Sequence, residues 1–170
     1  PPLETSPPRH PSAAFIVVRV SRGEFDRGGR TMFQSMAMYL YDITPRFGDI
    51  DGLRHVNNTV IPGWFEQARN QIYRIFNPQF DFESWNLILA RYEIDFVHPL
   101  GINGDVTVRT WVSRVGTSSF EISQEALQGG VLCTRGTTVL VHYDFAAGRP
   151  LPIPAAIRER LREHEAGSDA

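Results

Sequence analysis

Gly48-Asp49-Ile50-Asp51-Gly52-Leu53-Arg54-His55-Val56-Asn57-Asn58 joins two segments whose hydrophobic periods differ. Before it, Met38–Phe47 alternates, with Tyr39, Tyr41 and Ile43 set against Leu40 and Asp42, the period of a strand. After it, Ile61, Trp64, Phe65, Ala68, Ile72, Ile75 and Phe76 recur at steps of three and four. That spacing predicts one long helix with a broad apolar face, and therefore a buried helix. Asn57, Asn58 or Thr59 is placed to cap it, Pro62 fits its first turn, and Asn77-Pro78 ends it.

Beyond the helix the period returns to two. Leu87–Val97 sets Ala90, Tyr92, Ile94 and Phe96 against Arg91, Glu93 and Asp95. Val106–Val112, Phe120–Ala126 and Val131–Tyr143 read as three further strands, parted by Gly116-Thr117-Ser118 and by the hairpin signal Gly129-Gly130. Pro150, Pro152 and Pro154 break the chain, and Ala155–Glu165 reads as a short surface helix held by Ile157 and Leu161. Short turns make antiparallel neighbours. The reading is an α+β domain: a five-stranded antiparallel sheet wrapped round one long central helix.

Composition removes several function classes. The chain has 170 residues, a formal net charge of -2, 42% hydrophobic and 21% charged residues, which suits one ordinary globular domain. No overall basic field exists to bind nucleic acid or an anionic membrane. The single cysteine, Cys133, excludes a disulfide framework and a cysteine-rich zinc site, and fits a reducing, cytoplasmic setting. All 17 basic residues are Arg, so Schiff-base and P-loop lysine chemistry are excluded. No paired His/Cys spacing suggests a metal.

Five prolines fall within the first eleven residues, and residues 21–30 read as loop. Residues 1–36 are therefore expected to be a disordered extension, with the native start near Met32–Met38, the domain over 37–165 and a tail over 166–170. Ala13–Val18 is too short for a membrane span and makes a poor signal peptide.

The segment before the helix gathers Asp49, Asp51, His55, Asn57 and Asn58 within ten positions. Asp and Asn populate turns for structural reasons. A helix N-terminus, however, presents unpaired N–H groups and a partial positive charge, which suit an oxyanion or phosphate. A carboxylate beside it is placed to act as base or nucleophile on an electrophile held there.

The run Pro45-Arg46-Phe47-Gly48-Asp49-Ile50-Asp51 … His55-Val56-Asn57-Asn58 … Trp64-Phe65-Glu66-Gln67-Ala68-Arg69 resembles the hotdog-fold acyl-CoA thioesterases of the 4-hydroxybenzoyl-CoA thioesterase family. Gly116-Thr117-Ser118-Ser119-Phe120 resembles that family's serine turn. The resemblance implies a hotdog fold and hydrolysis of a thioester to free acid and CoA. It implies Asp51 as base or nucleophile, His55 as the residue orienting loop or substrate, and an oxyanion site at the backbone N–H of Asn58 or Thr59. Asn57 would tie the loop to the helix. Asn57, Thr59, Ile61, Trp64, Arg114, Ser118 and Ser119 would contact substrate. Glu66 is the alternative base, or a buried acid satisfied by loop N–H groups or by Arg69. Arg54 stands where the family usually has Gly, adding a cation near the site, and Ile61 stands where it commonly has Tyr.

The resemblance further implies an acyl-CoA or acyl-carrier-protein thioester as substrate, no cofactor beyond substrate CoA, and a homodimer or dimer of dimers joined edge to edge. The alternatives are an enoyl-CoA hydratase on the same fold, whose Asp–His spacing and Asn-Pro this chain lacks, and a non-catalytic acyl-CoA-binding module.

Overall fold

The computed structural model describes residues 16–25 and 31–165, with side chains from residue 37 onward. Strands β1 (Ile16–Phe25) and β2 (Thr31–Ile43) come first, then helices α1 (Ile61–Ala68) and α2 (Asn70–Phe76). Strands β3 (Leu87–Phe96), β4 (Val106–Val115), β5 (Ser119–Gln128), β6 (Val131–Asp144) and β7 (Arg149–Pro150) follow, and α3 (Ala155–Arg162) closes the fold. Among the described residues the strands pair antiparallel, in the order β1-β2-β4-β5-β6-β3, with the short β7 also on β6. The expected antiparallel α+β architecture is present. Gly129 and Gly130 turn the β5–β6 hairpin at φ +58° and +81°, a conformation that favours glycine at both positions.

Three expectations are corrected. The sheet has seven strands rather than five. The disorder expected over residues 1–36 does not hold where the structure reaches it: β1 pairs with β2 from Ile16↔Leu40 to Phe25↔Thr31. Its β-branched start, Ile16-Val17-Val18, favours a strand. Residues 1–15 and 26–30 and the tail 166–170 lie outside the described residues. The central helix is two helical segments rather than one, meeting at Arg69, where φ -78° and ψ -10° tighten the turn. The Arg69 N–H is shared between the carbonyls of Phe65 (3.2 Å) and Glu66 (3.1 Å).

That break has a structural correlate. Ile61, Trp64, Phe65 and Ala68 of α1 pack with Val106, Val108, Ala126 and Cys133 of the sheet. Ile72, Tyr73 and Ile75 of α2 pack in a second cluster with Val112, Phe120, Ile122 and Leu140. Between the two lies a buried polar belt of Arg69, Thr110, Gln124 and Thr138. Arg69 donates to Tyr73 Oη (3.0 Å), Gln124 Oε1 (3.1 Å) and Thr138 Oγ1 (2.9 Å). Gln124 Nε2 donates in turn to the Phe65 carbonyl (2.8 Å) and to Thr110 Oγ1 (3.0 Å), clamping α1 to the sheet. Burying a cation is tolerable when its donors find partners, and the belt supplies them to Nε and Nη1 of Arg69.

Phe65 is fully buried, and its ring lies against Gly136 of β6. A Cβ at Gly136 would fall 2.5 Å from Phe65 Cε2 and 2.7 Å from Cδ2. Gly136→Ala is therefore expected to cost about 1–3 kcal/mol through overpacking, read as a lower urea midpoint at unchanged m-value. No loss would mean that the ring moves freely.

β3 forms one edge of the sheet. The expected inward face is only partly realised: Tyr92 and Ile94 are half-buried, whereas Ala90 and Phe96 are exposed. Ile88 and Leu89 are exposed on the same strand. An edge strand has no neighbour to cover one of its flanks.

Candidate active site

Residues 45–58 fold as nested turns. The Arg46 N–H donates to Asp49 Oδ2 at 2.8 Å, and the Asp49 N–H donates back to the Arg46 carbonyl at 2.9 Å. Asp49 is buried, and its carbonyl accepts from the Asn57 N–H at 2.8 Å. The first acid of the segment thus holds the loop together.

Asp51 is placed differently. Its Oδ1 accepts from the N–H groups of Leu53 (2.8 Å) and His55 (3.3 Å), while its backbone N–H donates to the His55 carbonyl (2.8 Å). Asp51 Oδ2 takes no hydrogen bond from any described residue. One carboxylate oxygen anchors the turn and the other is left to a ligand or solvent. Arg54 completes this turn at φ +65°, a left-handed conformation unusual for a side chain other than Gly or Asn.

The helix start is also turn-built. Asn57 Oδ1 accepts from the Thr59 N–H (2.9 Å) and from Thr59 Oγ1 (2.8 Å), and the Val60 N–H donates to the Asn57 carbonyl (2.9 Å). Val60 occupies the cap position of α1 with no side-chain cap. The cap expected from Asn57, Asn58 or Thr59 is thus replaced by an Asx turn ahead of the helix. It also separates the two expected oxyanion donors. The Thr59 N–H is taken by Asn57, while no described group accepts from the Asn58 N–H, and none from the Ile61 N–H in the first helical turn.

Asp51, His55, Asn58 and Ile61 share the wall of a cavity of about 300 Å³ with Val56, Phe96, Val97, His98, Pro99, Leu100 and Thr134. Backbone bonds hold the two sides together: Val56 N–H to the Leu100 carbonyl (2.7 Å), and the N–H groups of Val97 (2.8 Å) and His98 (3.0 Å) to the Cys133 carbonyl. The cavity wall thus brings together a carboxylate, two histidines, apolar side chains and the residues Asn58 and Ile61 at the approach to and start of α1, whose N–H groups no described group accepts. A partial positive charge at that start favours an anion developing there.

The other expected site residues lie elsewhere. Trp64 is buried in the core beneath α1. Glu66 is exposed, and Arg69 is engaged by the polar belt, so the expected pairing of the two is absent. Arg114, Ser118 and Ser119 sit at the β4–β5 turn, at the far end of the sheet. There the Gly116 N–H donates to the Ser119 carbonyl, and the Ser118 carbonyl accepts from the His142 N–H, each at 2.8 Å. Ser119 is level with Val141 and the cavity's Thr134 is level with Ala126, so about seven residues of strand, roughly 23 Å, separate them within one protomer. Phe96, Val97 and Thr134 are cavity residues that the sequence reading does not reach. The exposed apolar pair Phe96-Val97 just before His98-Pro99 is the available signal.

Among the described residues, no helix is long and apolar enough to cross a membrane, and no group of three or more His, Cys, Asp or Glu is arranged to hold a metal. Tyr92, on the edge strand, has a buried hydroxyl that meets no partner in good hydrogen-bond geometry among the described residues, and the Arg69 guanidinium lies 5.3 Å from its ring centroid. Burial pushes the Tyr92 phenol above its ordinary pKa, against the opposing pull of Arg69.

No curated protein matches the sequence. Solved structures do. A predicted thioesterase from Bacillus stearothermophilus is 43% identical, covering 76% of this chain and 98% of its own, with a TM-score of 0.75. A thioesterase from Thermus thermophilus, complexed with coenzyme A and Zn, is 33% identical over 74% of this chain and 92% of its own, with a TM-score of 0.66. The model of the thioesterase-like superfamily matches residues 45–161, from the first turn of the cavity wall to the buried Leu161 of α3. A match of that extent, on this sheet and with these relatives, makes the chain a member of the thioesterase-like superfamily, a thioester hydrolase of the hotdog fold.

Proposed function

We propose that the cavity takes an acyl-CoA thioester and that Asp51 acts on its carbonyl, with the start of α1 as the oxyanion site. The observation that carries this reading is that Asp51 and Asn58, whose N–H no described group accepts, line one cavity. Asp51 Oδ2 accepts a proton from water as the water oxygen bonds to the thioester carbon. In the nucleophilic variant, Oδ2 bonds to that carbon itself, and water later hydrolyses the anhydride. The carbonyl oxygen becomes an oxyanion facing the Asn58 N–H and the positive end of the helix. Collapse breaks the C–S bond and releases CoA as thiolate. An ordinary thiol has a pKa of about 8.5, so its thiolate leaves without a strong general acid. His55 orients the loop and its ligand. No cofactor beyond the substrate's own CoA takes part.

The serine turn enters through a second copy. A two-fold axis across the middle of β3 would pair the exposed edges and set the Ile88 end of one strand beside the Phe96 end of the other. Ile88 is level with Val141, and Val141 with Ser119, so the partner's serine turn would approach this chain's cavity. The exposed Ile88, Leu89 and Phe96 would be covered in that pairing. We read the protein as a homodimer or dimer of dimers on this basis, and as cytoplasmic from its single, unpaired cysteine.

Incubation with a panel of saturated and enoyl-CoA thioesters, analysed for free thiol and for acid product, tests the reaction. The expected result is thiol and free acid in equal amounts. Formation of 3-hydroxyacyl-CoA without thiol would make the protein a hydratase. Stoichiometric binding without turnover would make it a binding module.

A further inference from the structure

Arg54 lies in the cavity loop, and its side chain is used by neither the fold nor the proposed chemistry. It stands between Asp51 and His55, both in the cavity wall, and is exposed. Its φ of +65° is a conformation in which glycine would be less strained. Its backbone N–H closes the turn on the Asp51 carbonyl at 3.0 Å, but the Arg54 side chain makes no hydrogen bond, ion pair or ring contact with any described residue to repay that strain. Arg46 pairs with Asp49, Arg109 and Arg135 with Glu125, and Arg158 with the carbonyls of Gly116 and Thr117. Among the described residues Arg114, Arg149 and Arg162 also lack a side-chain partner, but they stand on β4, β7 and α3, outside the cavity loop. A strained backbone position holding an unpartnered charge beside a cleft is a reason to look for a ligand.

We propose that Arg54 is a phosphate-binding residue at the rim of the cavity, selecting thioesters whose carrier is phosphorylated. This rests on the thioester reading of the cavity. With the carbonyl at Asp51 and Asn58, the carrier arm leaves through the exposed rim, and its phosphates are the anions that follow the acyl group outward. A guanidinium offers a planar fork of donors suited to phosphate oxygens, and one without an internal ion pair is free to use it. CoA and the phosphopantetheine arm of a carrier protein share this chemistry.

Arg54→Gly removes the charge and relieves the backbone, so the variant is expected to fold with a Tm at or above that of the parent. The readout is the ratio of kcat/KM for acyl-CoA to that for the same acyl-pantetheine, which has no phosphate. This ratio is expected to fall about three- to tenfold in Arg54→Gly, through KM, and to be largely kept in Arg54→Lys. In the parent it is expected to shrink as salt is raised. Acyl-phosphopantetheine separates the sources. A loss confined to acyl-CoA assigns the nucleotide phosphates, and an equal loss with both assigns the phosphate that CoA and carrier protein have in common. An unchanged ratio, or equal losses with acyl-CoA and acyl-pantetheine, would overturn the proposal. Calorimetric titration with CoA itself needs no turnover. It is expected to show the same rise in Kd for Arg54→Gly even if the proposed hydrolysis fails, and an unchanged Kd would overturn the assignment.

Discussion

Asp51→Asn is expected to lower kcat by about 10²- to 10⁴-fold with little change in KM. The substitution separates two roles that the native carboxylate combines. An asparagine Oδ1 still accepts the N–H groups of Leu53 and His55 that Asp51 Oδ1 accepts, so the turn is kept. What disappears is the charge on the second oxygen, which no described residue uses. Asp51→Ala removes both roles and is expected to lose the same activity together with loop stability. Comparable activity in Asp51→Asn and parent, with unchanged Tm, would move the chemistry away from this residue. Glu66, the alternative base, is exposed and outside the wall of this cavity, and Glu66→Gln is the matching control.

Arg69→Leu is expected to destabilise the fold by about 3 kcal/mol, although it replaces a charge by a hydrocarbon in a buried site. The leucine would leave Gln124 Oε1, Thr138 Oγ1 and Tyr73 Oη without the donors that now reach them. Each buried acceptor so orphaned costs about 1–3 kcal/mol, against which the hydrophobic gain of one leucine is smaller than the sum. Gln124 also holds the Phe65 carbonyl, so a disturbed belt loosens the end of α1. Urea denaturation measures the change. A loss under about 0.5 kcal/mol would show that the belt repacks, as some buried ionic networks do when replaced by hydrocarbon.

These two residues also mark how far the sequence can be read. Leu87–Phe96, Ser119–Gln128 and Val131–Asp144 fall within about two residues of their expected bounds, because alternation and the glycine turns specify them locally. Asp51 is legible because a carboxylate just ahead of an apolar helix is a local pattern. Arg69 is not. In the sequence it is a charge near Glu66 on a helix, and only the tertiary fold brings Thr110, Gln124 and Thr138 beneath it to form the belt and break the helix. The opposite cavity wall, Phe96–Leu100 and Thr134, comes from strands about 40 or more residues away in the chain, a contact that periodicity does not encode. The β1–β2 hairpin escapes the sequence reading because a proline-rich start suggests disorder over a stretch that also holds β-branched residues. The serine turn is recognisable by its residues, but its distance from Asp51 within a protomer is a property of strand length and register.

In the proposed mechanism a thioester carbonyl sits between Asp51 and the start of α1. A crystal structure with a non-hydrolysable acyl-CoA analogue, its sulfur replaced by methylene, would locate that carbonyl. Its oxygen is expected about 2.7–3.1 Å from the Asn58 backbone nitrogen, with Asp51 Oδ2 or a water bound to it facing the carbonyl carbon. An analogue bound with its carbonyl elsewhere, such as beside Glu93 and Arg135 on the β3–β6 face, would contradict it.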